Sequence, residues 1–426
     1  MLERLDLRGD RAGLGALAPP PAGDEPVAAV REIIAAVRER GDDALRELTE
    51  RFDGCRVDDL RVAPADVQAA LDGVPRELRA ALEYAAGEIA AYHEALRPVA
   101  VALDRGGVRL RELVVPVARA GLYVPGGRAS YPSTVLMTAI PARVAGVPEL
   151  ALCVPPAADG TVPAATLAAA ALAGVDEVYR VGGAQAVAAL AYGTATIRPT
   201  DVVVGPGNVY VALAKREVAG IVGIEAYAGP SEIVVVADET APPELVAADL
   251  LAQAEHGPGG SAVLLTWLDP VADAVADAVE KLLADAPRRA EIEATLATGG
   301  RIVLVDGPEA ALDAANAIAP EHLELITADP ESLLPSVRNA GAVFLGPFTP
   351  AVVGDYVAGV NHVLPTARTA RFASALRVDT FLKHVHVVEL DAGALARVAP
   401  HVRAVADAEG LAEHARSITL RERRRA

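Results

Sequence analysis

The chain has 426 residues and carries 57 acidic against 39 basic side chains, a formal charge of −18, which argues against nucleic-acid or anionic-membrane surfaces because both need basic patches. Its length suits two α/β domains rather than one ordinary core. Apolar residues make up 52% but aromatic ones only 4%, so the interior must be built from Ala, Val and Leu, as where tightly packed helices cover buried parallel strands.

Residues 1–25 form a short segment that opens on MLERLDLRGD, without an apolar signal region, and runs into the proline-rich APPPAGDEP. From Val27 the pattern is helical, with Val30, Ile33, Ile34 and Val37 on one face up to a break at Gly41; Asp42 and Asp43 then open a second helix. Another helical pair extends to about Pro98, and the valine-rich stretch 108–127 predicts strands. A regular series follows, with strands at 150–154, 177–181 and 202–204 and alanine-rich helices at 164–173, 184–192 and 209–218. A second series runs from a strand at 233–237 through helix 244–255, strand 262–267, a charged helix pair to about 298, strand 302–305, helix 309–318 and strands at 323–327 and 342–345. After 381 the sequence predicts a strand, KHVHVVEL, and a helical tail. No apolar stretch reaches membrane-spanning length, and the two cysteines, Cys55 and Cys153, lack C-x-x-C spacing, which fits a reducing, cytoplasmic setting.

Chemistry-bearing residues concentrate in a few places. In LLAQAEHGPGG (250–260), Gln253 and His256 share one helical face just before a glycine-rich stop, so His256 is either a helix cap or a metal ligand. Glu321 and His322 pair a carboxylate with an imidazole ahead of a strand, the equipment for two proton transfers on one substrate, or else a surface loop pair. Asp355 and His362 lie in a predicted loop, and His414 in a helical segment. Gly-rich turns at Gly126 and Gly127, Gly182 and Gly183, Gly205 to Gly207, and Gly229 with Pro230 follow strands in several cases, where open α/β sheets bind ligands, yet none fits G-x-G-x-x-G. His384 and His386 form an H-x-H on one strand face, a rival metal pair without an accompanying acid or thiol. His93 and His401 sit in charged helical surroundings that predict solvated side chains, and the arginines from Arg421 to Arg425 decorate the close of the last helix.

Taken together, GLYVPGG (121–127), YPSTVLMTAIPARVAGV (131–147), GGAQAVAALAYGT (182–194), GPGN (205–208), AGPSE (228–232), QAEHGP (253–258), APEHLEL (319–325), GDYVAGVNHVLPT (354–366) and EGLAEH (409–414) resemble the L-histidinol dehydrogenase family over nearly the whole chain. The resemblance implies a four-electron oxidation of L-histidinol to L-histidine by way of the aldehyde, the last steps of histidine biosynthesis, with two NAD⁺ and one Zn²⁺ per site. It implies metal ligands Gln253, His256, Asp355 and His414, a general base in His322, a water-activating base in Glu321, substrate contacts from Ser231, His362 and Glu409, and NAD⁺ contacts from Tyr123, Gln185 and Asn208. Cys153 falls in a matching stretch, but a hydrate route needs no thiol nucleophile, so it reads as a small buried hydrophobe.

The fold implied is two incomplete Rossmann-like α/β domains with parallel sheets flanked by helices. One is formed by 26–122 with 232–380 and carries the metal and catalytic residues; the other, 123–231, lies on the NAD⁺ side. The N-terminal segment 1–25 and a helical tail, 381–426, complete the chain. A homodimer is implied, with Glu409 and His414 of the tail reaching the partner's site. The chain departs from the family's Pro-Thr-Gly-Gly and Gly-Leu-Ser-Val with Pro365-Thr366-Ala367-Arg368 and Ala375-Leu376-Arg377-Val378. That leaves a related zinc- and NAD-dependent dehydrogenase of another small amino alcohol or polyol as one alternative, and a zinc hydrolase using Glu321 as another.

Overall fold

The computed structural model describes residues 2–17, 26–126, 130–226, 229–257 and 259–423. The proline-rich stretch at 18–25, parts of three motifs (Gly127, Ala228 and Pro258) and the final arginines Arg424 and Arg425 lie outside the described residues.

Valine- and leucine-rich strands assemble into two parallel sheets. The first has six strands in the order Glu3–Asp6, Gly300–Leu304, Ser261–Thr266, Glu232–Ala237, His322–Ile326 and Ala342–Leu345. Its central strands are apolar at nearly every position because both faces are covered. Ile233, Val235 and Ala237 enter one core with Leu250, Leu264 and Ile302, while Val234 and Val236 enter another with Leu265, Val303 and Leu325. The second sheet has five strands in the order Glu177–Arg180, Glu149–Val154, Arg119–Tyr123, Val202–Val204 and Gly223–Ile224. These α/β layers agree with the fold class expected from the alternating pattern.

The chain divides into two compact units, 1–96 with 118–381 and 97–117 with 382–426. This differs from the division read from sequence at three points. Arg119–Tyr123 is the middle strand of the five-stranded sheet, so the boundary expected at 122/123 cuts through that sheet. The helices Val27–Arg40, Asp42–Asp53, Pro64–Gly73 and Arg76–Ala95, assigned to the catalytic domain, pack instead on helices of the five-stranded layer, with Val30, Ile34 and Leu45 sharing a core with Val187, Leu190 and Leu213. Periodicity shows that a helix has an apolar face but not which sheet covers it. The N-terminal segment, finally, contributes Glu3–Asp6 as an edge strand beside Gly300–Leu304; a short, charged strand of this kind leaves almost no hydrophobic signature.

Within the smaller unit, Leu382–Leu390, Val108–Pro116 and Ala102–Asp104 form an antiparallel sheet, followed by helices Ala392–Ala408 and Ala412–Arg423. His384 faces Glu112 at 3.2 Å, so an acid does accompany the H-x-H pair, although among the described residues no cluster of three or more His, Cys, Asp or Glu is placed to hold a metal ion. His93 is a further correction. It is fully buried on Arg76–Ala95, with Nδ1 2.8 Å from the carbonyl oxygen of Ile89, because its helix packs against Pro132–Ala145.

Where the family shows two glycines, Ala367 and Arg368 both hold left-handed backbone, at φ of 50° and 64°. L-residues pay roughly 1–2 kcal/mol each for that conformation, and a glycine there offsets the gain in part through its looser unfolded state. An Ala367→Gly/Arg368→Gly variant is expected to raise the urea midpoint by the equivalent of about 1 kcal/mol; an unchanged or lower midpoint would show that side-chain contacts already compensate.

Candidate active site

Parallel pairing of His322–Ile326 with Glu232–Ala237 brings His322 beside the start of its neighbouring strand. There the main chain of Glu232 binds both members of the Glu321 and His322 pair. Its N–H donates to Glu321 Oε2 at 3.0 Å, and its carbonyl oxygen lies 3.2 Å from His322 Nδ1. A carbonyl can only accept, so Nδ1 carries the proton in that bond and Nε2 of the neutral ring keeps its lone pair. Nε2 is buried without a hydrogen-bond partner, 3.5 Å from Asp355 Oδ1, and the ring tilts against Phe344.

Both groups are strongly perturbed. Burial pushes the Glu321 carboxyl up to about 7, against the pull of the adjacent imidazole. Burial alone would lower His322, but Glu321 and Asp355 together raise it to about 9. Burial likewise lifts Asp355, yet the facing imidazoles of His322, His362 and His256 bring it below its ordinary value. Glu321 and Asp355 thus both face the His322 imidazole, and their carboxylate oxygens are hard donors of the kind a divalent cation takes.

These residues line a cavity of about 360 Å³, together with Tyr131, Thr134, Asn208, Ser231, Gln253, His256, Tyr356 and His362. The two sheets contribute to it by opposite ends. Pro206, Gly207 and Asn208 follow Val202–Val204, at the strand end where such sheets ordinarily bind ligands, whereas Ser231, Glu321 and His322 sit at the beginnings of the strands in the six-stranded sheet.

Gln253 is buried near the end of helix Pro243–Ala254, its Nε2 unpartnered, and His256 stands exposed just beyond that helix. Both line a small recess with Asp355, which is carried by the short helix Ala351–Tyr356 rather than by the loop expected. Three of the four expected metal ligands therefore come together, and their N/O character suits Zn²⁺. His414, the fourth, belongs to the smaller unit, where it lines a shallow groove with His401, Val402, Val405, Ala406 and Glu409. His362 has both ring nitrogens engaged, Nδ1 with the Asp355 carbonyl at 2.9 Å and Nε2 with Thr134 Oγ1 at 3.1 Å.

Of the residues expected to meet NAD⁺, only Asn208 reaches this cavity. Its side-chain oxygen caps helix Val209–Val218 by accepting from the N–H groups of Tyr210 and Val211, which leaves its amide nitrogen for other work. Tyr123 and Gln185 are buried and do not line the cavity. The Tyr123 hydroxyl accepts from Gly183 N–H at 3.1 Å, and both amide atoms of Gln185 lack partners at the start of helix Gly183–Tyr192. A buried amide without partners is costly, and a ligand with donors and acceptors would satisfy it. Cys153 is fully buried, and burial pushes its thiol far above the ordinary range, as befits a packing residue.

Sequence reading missed Glu232 and Thr134. Glu232 acts here through its main chain, which no side-chain pattern reveals, and Thr134 lies in a helix, Pro132–Ala145, whose apolar residues dominate the signal.

A family model described as histidinol dehydrogenase matches residues 22–422. Among curated relatives, the histidinol dehydrogenase of a Synechococcus sp. is 52% identical over 398 residues, covering 93% of this chain and 92% of that protein. The one from Rhizobium meliloti is 51% identical over 397 residues, covering 92% and 91%. The crystal structure of histidinol dehydrogenase from Elizabethkingia anophelis superposes with a TM-score of 0.95 at 34% identity, over 99% of this chain and 98% of that one. By sequence and by fold, this chain belongs to the histidinol dehydrogenase family, NAD-dependent oxidoreductases of histidine biosynthesis.

Proposed function

We propose that this chain converts L-histidinol to L-histidine in two successive oxidations at the cavity around His322. The observation that carries the reading is the fixed His322 tautomer, with Nδ1 on the Glu232 carbonyl and Nε2 left unpartnered beside Asp355. In the first half-reaction Nε2 of the neutral ring, the form that prevails above about pH 9, takes the hydroxyl proton as hydride leaves the carbinol carbon, giving the aldehyde. Glu321, poised near neutrality, then takes a proton from the water that adds to the aldehyde, and His322 takes the hydroxyl proton of the resulting hydrate in the second oxidation. The balance is one alcohol, one water and two NAD⁺ giving one carboxylate, two NADH and three protons.

When bound, NAD⁺ would supply the hydride acceptor for each half, and Zn²⁺ would supply a Lewis acid to hold and polarise the substrate. Gln253, through its amide oxygen, His256, Asp355 and His414 would hold the metal; the crowded carboxylates around His322 support that assignment. Ser231, His362 and Glu409 are the substrate contacts, the Glu409 carboxylate suiting a cationic amino alcohol, while Asn208, Tyr123 and Gln185 serve the dinucleotide. The enzyme works as a homodimer whose Glu409 and His414 complete the partner's site. The apolar exposure of Val99, Val101, Leu103, Leu113, Val385, Val388 and Val405 in the smaller unit supports such an interface. We place it in the cytoplasm: its cysteines are unpaired, and among the described residues no helix is long and apolar enough to cross a membrane.

Two NADH should form per histidinol consumed, and a ratio of one would sink the two-step reading. His322→Asn is expected to lower kcat by about 10²–10⁴-fold while zinc content, measured by atomic absorption, stays near one per chain. Gln253→Ala should lose zinc and turnover together, with metal affinity down by about 10–100-fold. Mixing inactive His322→Asn dimers with inactive His414→Asn dimers should restore activity on subunit exchange, because each mixed dimer holds one site with both residues intact. No recovery, with exchange confirmed by native mass spectrometry, would mean that each tail serves its own subunit.

A further inference from the structure

Lys215 and Glu225 form a buried ion pair, Nζ to Oε1 2.6 Å, with side chains 1% and 3% exposed. Two charges removed from water need further partners, and here both find them on one residue. Glu225 Oε1 accepts the N–H of Gly205 at 2.7 Å, and Lys215 Nζ donates to the Gly205 carbonyl at 3.1 Å. The peptide units on either side of Gly205 are therefore held by opposite ends of the same pair. Gly205 has φ of 122°, and a Cβ there would collide with the carbonyl oxygen of Tyr123, so the backbone passes as close to the central strand as it can.

The three residues that follow, Pro206, Gly207 and Asn208, enter the catalytic cavity. Lys215 lies on the helix that Asn208 caps, and Glu225 lies just after the strand Gly223–Ile224. The pair thus closes a frame of strand, loop and helix around the segment that carries Asn208, and neither charged group is among the residues lining the cavity.

We propose that Lys215 and Glu225 are positioning residues that fix the loop 205–208 and so set the affinity for the dinucleotide, without acting on the amino alcohol or the metal. The proposal rests on the reading of Asn208 as a nucleotide contact. Displacing a binding group by about 1 Å is enough to cost up to about a hundredfold. The full-length, zinc-loaded enzyme is titrated with NADH, following its fluorescence, for wild type, Lys215→Met, Glu225→Gln, Asn208→Ala and Arg31→Met. Glu225→Gln keeps an acceptor for Gly205 N–H and removes only the charge, so it tests the idea even where Lys215→Met does not fold. Arg31→Met removes the exposed pair to Glu217 on the same helix, which does not touch Gly205, and serves as the control.

The expected result is an NADH dissociation constant raised about tenfold or more in Glu225→Gln, a matching rise in the KM for NAD⁺, and KM for histidinol and zinc content within about twofold of wild type. Arg31→Met should bind as wild type. An unchanged dissociation constant in folded Glu225→Gln beside weakened binding in Asn208→Ala overturns the role of the ion pair alone. Normal NADH binding in Asn208→Ala overturns the reading of the loop and this proposal with it. Equal losses for histidinol and NADH in Glu225→Gln would mark a general structural role and also overturn it.

Discussion

The chemistry of this protein depends on the register of two parallel strands. Because His322 pairs with Ile233, the peptide groups of Glu232 fall between the acid and the imidazole, donating to one and accepting from the other. A slip of one residue would carry His322 to the opposite face of the sheet and exchange it for Leu323, a residue of the hydrophobic core. The interleaved cores of Ile233 and Val235 on one side and Val234 and Val236 on the other make such a slip costly, so packing away from the cavity protects the alignment of His322.

Burial then sets the electrostatics. Glu232 is itself lifted to about 7 by burial and by neighbouring Glu321, and one of its oxygens accepts from the Ala367 N–H at 3.2 Å. Glu324, two residues along the strand from His322, is raised to about 8 by burial and by Asp249, and accepts from the N–H of Ala351 at 2.7 Å, at the start of the helix that carries Asp355. Several carboxyl groups are thus packed close enough to His322 to feel its charge. Such a cluster costs stability, and it is concentrated around a cavity with an unpartnered Nε2 on His322, the pattern of a functional site rather than of a folding core.

How much of this was legible beforehand follows from what each signal encodes. The strands around the site were readable because burial on both faces writes continuous apolar runs, as in Ile233 to Ala237, and the helices because Val30, Ile33, Ile34 and Val37 repeat at helical spacing. Which layer those helices cover was not readable, since an apolar stripe carries no address; only Val187 and Leu213 opposite it settle that. His93 looked solvated because its sequence neighbours are charged, yet it faces inward with its own helix supplying a carbonyl. The candidate site was legible through side chains such as Gln253, His256, Glu321 and His322, whose chemistry is visible in one-letter code. The part played by Glu232 was not, because hydrogen bonds from the main chain leave no trace in composition.

The segment 365–368 shows how a departure from a family pattern can be absorbed. Ala367 and Arg368 keep the left-handed backbone that two glycines would take without strain, so the path of the chain is maintained at the expense of local energy. That path is tied down by contacts at its start: Thr366 Oγ1 accepts from Gly229 N–H beside the Ser231 strand entry, and Ala367 N–H reaches the Glu232 carboxylate. Relaxing the loop would release Glu232, and with it the residue whose main chain orients Glu321 and His322. The strained backbone is thus tied to the residue whose main chain meets Glu321 and His322.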